Sequence, residues 1–353
     1  MIRYFKINDP YRLLTLFLFI VATRTAVIII GFRSNFSTYY SLSPDSEQLG
    51  TLYLWITELL QFAFGASLIP SIVLSSLLVF VQAFSLNSIL IRNKALTQNT
   101  YLPAAIYILI LSASPEFMLL SPALFAVTFI MIGLNYMFFH LQYRGTEENI
   151  LSTGVVFGLA SLFDPSSAVF ILLLFTVYIF FSSTLNRRYF LLLFGVFFPY
   201  LLIWLFYLWK GESQEFWFHV SNNLFITDSE FLIPINQLLI VVSLPLLISA
   251  ISVSQTLMGI GLTVHQIIIQ KTFLILGFFS IVSMTISDEI TSTALIYLAP
   301  TLAFFVAQFL LTRKRKRMPE VVFLILLIWG LAFLFLPILA PNILPISYDG
   351  LLK

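Results

Sequence analysis

Apolar runs long enough to cross a bilayer recur from one end of the 353-residue chain to the other, separated by short polar breaks. A spanning helix needs about 20 apolar residues, because the hydrocarbon core is about 30 Å thick and a helix rises 1.5 Å per residue. The pattern predicts eleven spans, near 12–32, 67–91, 102–114, 121–143, 151–163, 166–185, 189–209, 233–255, 272–287, 292–312 and 320–340. The third and fifth are short. About 13 apolar residues reach only about 20 Å, so these two are expected to be oblique or enclosed by protein. Between the first two spans, "LGTLYLWITELLQFAFGA" carries apolar residues at helical spacing with few charges, which predicts a helix lying in the interface.

Composition turns this pattern into a class. Of the residues, 59% are hydrophobic and only 10% charged, with 38 Phe and a mean hydropathy of +0.99. A soluble domain carries about 25% charged residues. The chain is therefore expected to be one all-α polytopic membrane domain over 1–353, with no soluble domain, long linker or internal repeat. The first run, from Leu13 to about Phe32, is too long for a signal peptide, holds Arg24 and lacks a small-residue cleavage site. It predicts a retained first span. Without a cysteine there is neither a disulfide framework nor a thiolate metal site, and three scattered His make no metal motif.

Charge orients the spans. With the N-terminus inside, 14 of the 18 basic residues fall on the inner face, including "RKRKR" at 313–317. Arg33, Lys210 and Lys353 fall outside and Arg24 lies within a span. Twelve of the 16 acidic residues fall outside. This is the positive-inside bias, and it predicts a bacterial inner-membrane protein with a cytoplasmic N-terminus and a periplasmic C-terminus. Membrane lipids are then its first partners. The basic run is too short and too near the membrane to indicate nucleic acid.

An outward loop with two carboxylates, "SLSPDSEQLG" at 41–50, followed by an interfacial helix, resembles the GT-C fold of polytopic glycosyltransferases. "TYLPAAIYILILSASPEFMLLSPALFAVTFIMIGLNYMFF" followed by "STGVVFGLASLFDPSSAVFILLLF" resembles the middle helices of that fold. The likeness extends to an uncharacterised inner-membrane family of Bacteroidota and covers roughly residues 1–210, with 211–353 adding generic spans. It implies a polyprenyl-phosphate-linked sugar donor and a catalytic carboxylate in the first outer loop. The chain departs from that pattern where "LGTLYLW" replaces the end of a longer, Asp-containing stretch, and this puts catalysis in question while leaving the fold inference intact.

Each candidate has two readings. Asp45 and Glu47 are a general base or a metal-coordinating carboxylate for glycosyl transfer, or a solvated Pro–Ser turn. Arg24 lies about 12 Å below the outer end of its span, where a charge costs at least about 2.5 kcal/mol unless it meets water or a partner. It either holds a lipid or sugar phosphate bidentately or forms a structural ion pair with an acid such as Asp164 or Glu58. Asp164, in "SLFDPSS", contacts substrate in the GT-C comparison, or caps a helix that Pro165 begins. Glu116 is read as a helix start between spans three and four. His219, with Trp217 and Lys210, forms an outer phosphate site, or else Trp217 and Lys210 are interfacial anchors. Asp288 and Glu289 are read as an exposed outer turn. Three functions remain: sugar transfer by an active or a degenerate GT-C relative, a non-enzymatic subunit of an envelope secretion, motility or assembly complex, and a lipid or solute transporter.

Overall fold

The computed structural model describes residues 2–5, 11–33, 50–65, 68–114, 116–143, 147–181, 186–214, 216–217, 220, 235–257, 263–286, 292–313 and 317–339. Among these every regular element is a helix, and there is no strand. After one turn at Ile2–Phe5 come α1 (Tyr11–Arg33), α2 (Thr51–Phe64), α3 (Leu68–Arg92), α4 (Leu102–Leu111), α5 (Pro122–Tyr143) and α6 (Glu147–Phe163). A 3-10 turn at Pro165–Ala168 leads into α7 (Val169–Phe181), followed by α8 (Asn186–Lys210), α9 (Ile235–Leu257) and α10 (Val264–Ile286). A second 3-10 segment, Ser292–Leu298, precedes α11 (Ala299–Thr312), and α12 (Arg317–Leu339) closes the described chain.

Among the described residues, seven stretches are long and apolar enough to cross a bilayer: Tyr11–Ile29, Ile69–Arg92, Pro122–Gln142, Arg188–Lys210, Val264–Met284, Leu295–Thr312 and Arg317–Phe335. Three shorter apolar stretches join them, Leu102–Leu111, Pro165–Phe181 and Val242–Ser254. The chain is thus an all-helical, multi-pass membrane protein. The expected run at 272–287 is only the second part of α10. That helix starts at Val264, because His265, Gln266, Gln270 and Lys271 interrupt the apolar pattern without interrupting the helix.

The two central helices are the ones most fully enclosed. All ten residues of α4 are buried, as are Ala299 through Leu310 of α11. At ten residues α4 reaches about 15 Å, half the core of a bilayer, so its ends are viable only because protein surrounds them. A polar relay crosses this interior. The Tyr107 hydroxyl donates to Gln82 Oε1 at 2.7 Å, and Gln82 Nε2 donates to the Leu124 carbonyl at 2.6 Å and to Thr128 Oγ1 at 2.8 Å. These bonds tie α3, α4 and α5 together. Stacked rings, Phe273 on Phe304 at 4.5 Å, join α10 to α11.

Helices α6 and α8 approach more closely than side chains would allow. Gly154 and Gly158 of α6 lie against the carbonyl oxygens of Leu192 and Val196 on α8. In return, a Cβ on Gly195 would sit 2.6 Å from the Leu151 carbonyl oxygen. Small residues four apart let helices pack backbone to backbone, which is how helices adhere where the surrounding lipid is as apolar as Leu.

Cross-contacts define the two ends of the bundle. At one end the Phe5 carbonyl accepts from Tyr101 N at 3.0 Å and from Thr100 Oγ1 at 3.0 Å, and Gln266 Nε2 donates to the Lys94 carbonyl at 2.9 Å. Arg12, Arg92, Lys94, Lys271 and Arg313 lie toward this end. The opposite end holds α2, the α4–α5 connection and the break between α6 and α7.

Candidate functional site at the α2 end

Arg24 is the buried cation of this end, with 3% of its surface exposed. Its Nη1 donates to Ser75 Oγ at 2.6 Å and to the Met118 carbonyl, to which Ser75 Oγ also donates. Its Nε is buried and has no hydrogen-bond partner. Val27, Met118 and Leu334 form an apolar cluster beside it, so the side chain points into protein and away from lipid. Neither Asp164 nor Glu58 is among its partners. The guanidinium is held by a hydroxyl and a backbone carbonyl.

That carbonyl belongs to the turn Glu116–Met118, which connects α4 to α5 and whose backbone is not paired by a full helix. Buried backbone groups need partners, and side chains from three helices supply them. Ser75 of α3 and Arg24 of α1 reach Met118; Ser71 Oγ accepts from Leu120 N at 3.2 Å; the Tyr53 hydroxyl donates to the Leu120 carbonyl at 3.0 Å. The connection is therefore braced on all sides. The Glu116 side chain is not among the described atoms.

Helix α2 is positioned by the same elements. Its N-cap Gly50 packs against the end of α6, where a Cβ would lie 2.6 Å from the Leu162 carbonyl oxygen and closer still to that of Phe163. Tyr53 meets the Phe125 ring, and Phe125 stacks on Phe163 at 5.0 Å. Trp55 reaches across to Phe206 and Tyr207 of α8. The other end of α2 leaves Leu59, Phe62 and Phe64 exposed, Phe62 at 95%.

Asp164 follows Phe163 directly and caps the turn Pro165–Ala168, its Oδ1 accepting from Ser166 N at 3.0 Å. The cap expected from Asp–Pro is thus present, and a second bond adds to it. The Tyr297 hydroxyl donates to Asp164 Oδ2 at 2.6 Å. Ser283 Oγ donates to the Ser166 carbonyl at 2.9 Å, and Ser280 Oγ to that of Tyr297 at 2.9 Å. Burial pushes the Asp164 carboxyl above its ordinary range, and its hydrogen bonds to Tyr297 and Ser166 oppose that rise.

Asp45 and Glu47 lie outside the described residues, as do His219, Asp288 and Glu289. Trp217 is exposed, and Lys210 stands over the Phe206 ring at 5.1 Å. Among the described residues no three His, Cys, Asp or Glu side chains form a group able to hold a metal ion. Ser71, Ser75, Tyr53, Ser283 and Tyr297 emerge only from the structure. A serine on an apolar helix carries no mark in sequence of the carbonyl it will meet, and Tyr297 lies 133 residues from Asp164. Comparison with family models, with curated proteins and with solved structures finds no match.

Proposed function

We propose that the chain is a GT-C-like protein of the bacterial inner membrane that transfers a sugar from a polyprenyl-phosphate-linked donor at its outer face. The observation that carries this reading is the seating of Gly50 on the end of α6. Glu47 lies three positions before Gly50 and Asp45 five, so chain length caps their Cα distances from it at about 11 Å and about 18 Å. The reading requires the first-loop carboxylates to work beside Asp164 and the braced α4–α5 connection. The exposed Leu59, Phe62 and Phe64 suit a helix lying in the headgroup layer, where a lipid-linked donor presents its sugar.

In this reading Asp45 or Glu47 is the general base. It takes the proton of an acceptor hydroxyl, whose oxygen bonds to the anomeric carbon as the bond from that carbon to phosphate oxygen breaks. Polyprenyl phosphate leaves. Arg24 orders the platform. Membranes carrying the full chain, given polyprenyl-phosphate hexoses labelled in the sugar and an envelope fraction as acceptor, test the proposal. Label should enter the envelope fraction and fail to do so with Asp45→Asn/Glu47→Gln.

A second reading, a non-enzymatic subunit of an envelope assembly, is favoured by one observation. Arg24 and Asp164 both bond within the protein. It is the reading to adopt if no donor supports transfer while the chain purifies with a fixed stoichiometry of another envelope protein.

A further inference from the structure

The break between α6 and α7 gathers oxygen atoms of a single chemical kind. The Asp164 carboxylate meets the hydroxyls of Tyr297 and Ser166, and Ser283 Oγ lies 3.3 Å from Ser166 Oγ. Ser167 Oγ lies beside the Tyr297 phenol, is 1% exposed, and makes no well-formed hydrogen bond. Tyr297 and Ser283 are equally deep, at 1% and 0% exposed, whereas Asp164 and Ser166 are half-buried. The cluster therefore opens at the carboxylate and ends at an orphan hydroxyl.

A carboxylate in this setting lacks something. Among the described residues no basic side chain acts on Asp164: burial opposes its charge, and hydrogen bonds support it. An ionised carboxylate away from bulk water is stable when a cation offsets it. We propose that Asp164, Ser166, Ser167 and Tyr297 bind a monovalent alkali cation, Na+ in physiological media, with Ser283 holding the Ser166 backbone in place. Hard oxygen ligands select hard cations over transition metals, which prefer nitrogen and sulfur. One carboxylate neutralises one positive charge, whereas a divalent ion would leave a net charge buried. The site also lies where two helices are unwound, at Pro165–Ala168 and Ser292–Leu298, the kind of helix interruption at which membrane proteins coordinate small cations.

The site is independent of the sugar-transfer reading. Its occupancy would clamp α7, α10 and the turn before α11 to one another, because its ligands come from both 3-10 segments and its support from α10.

Thermal unfolding of the full chain in detergent, at fixed ionic strength and pH, tests the proposal. Replacing choline chloride by NaCl should raise Tm by several degrees, saturably. Asp164→Asn should abolish the rise. Ser167→Ala removes an oxygen that makes no well-formed hydrogen bond in the protein, so Tm in choline should hold while the Na+ concentration for half the effect rises about tenfold, the equivalent of about 1.4 kcal/mol. That variant carries the test if Asp164→Asn fails to fold. Equal Tm values in Na+ and choline would overturn the site, and so would a Na+ effect that survives both substitutions. A gain in Tm on acidification with no Na+ effect would show that the carboxyl is simply protonated.

Discussion

The α6–α8 seam and the α4–α5 connection solve the same problem in opposite ways. At the seam Gly154, Gly158 and Gly195 remove side chains until two backbones touch. At the connection Arg24, Ser71, Ser75 and Tyr53 add polar side chains until a non-helical turn is satisfied. Neither relies on burial of apolar area, because lipid offers apolar groups the same environment as the protein interior. The seam works by shape and tolerates no added volume. The brace works by bonds that partly overlap, since Met118 receives two donors. The seam should therefore fail abruptly and the brace by degrees.

The largest effect is expected at the seam. Gly158→Leu must displace the Val196 backbone, and overpacking of this kind costs about 3 kcal/mol or more. Little folded protein should be recovered by size exclusion in detergent, and Gly154→Leu should behave alike. Recovery of a normally folded Gly158→Leu protein would mean that α6 and α8 are not in backbone contact.

An intermediate effect is expected at the brace. Arg24→Leu removes charge-assisted bonds of about 1.5–3 kcal/mol but leaves Met118 with the Ser75 hydroxyl. Ser75→Ala leaves it with Arg24. The double variant orphans the carbonyl, so its loss should exceed the sum of the two single losses by about 1 kcal/mol in denaturant unfolding. Strict additivity would show that Arg24 and Ser75 do not share an acceptor. A smaller loss, about 1 kcal/mol, is expected for Tyr53→Phe, which leaves the ring against Phe125 and removes only the donor to Leu120.

These two regions were unequally legible in the sequence. The long spans follow from long, predominantly apolar runs such as those of α1 and α3, and the shortness of α4 follows from the 13-residue stretch that contains it. The seam had a signal in "GVVFG" at 154–158, two glycines four apart in an apolar helix, which the span pattern alone passes over. The brace had half a signal. Arg24 within a span requires a partner, and a phosphate or an acid was the expectation. Its partners are a serine hydroxyl and a main-chain carbonyl, and every residue has a carbonyl. Asp164 was legible as a cap because Asp–Pro is local chemistry. Its bond to Tyr297 depends on how α6 and α11 come together, which no local pattern encodes. Asp45 and Glu47, on which the catalytic reading depends, lie outside the described residues.

All of the functional reading requires the α2 end to face outward, and this can be measured directly. The chain has no cysteine, so a single cysteine at Ser46 or Thr312 reports its own side of the membrane. Ser46 precedes α2, and Thr312 ends α11 at the opposite, basic end. In intact cells whose outer membrane admits an impermeant thiol reagent, Ser46→Cys should label and Thr312→Cys should label only after lysis. Labelling of Thr312→Cys in intact cells with Ser46→Cys protected would invert the topology and contradict an outer-face function.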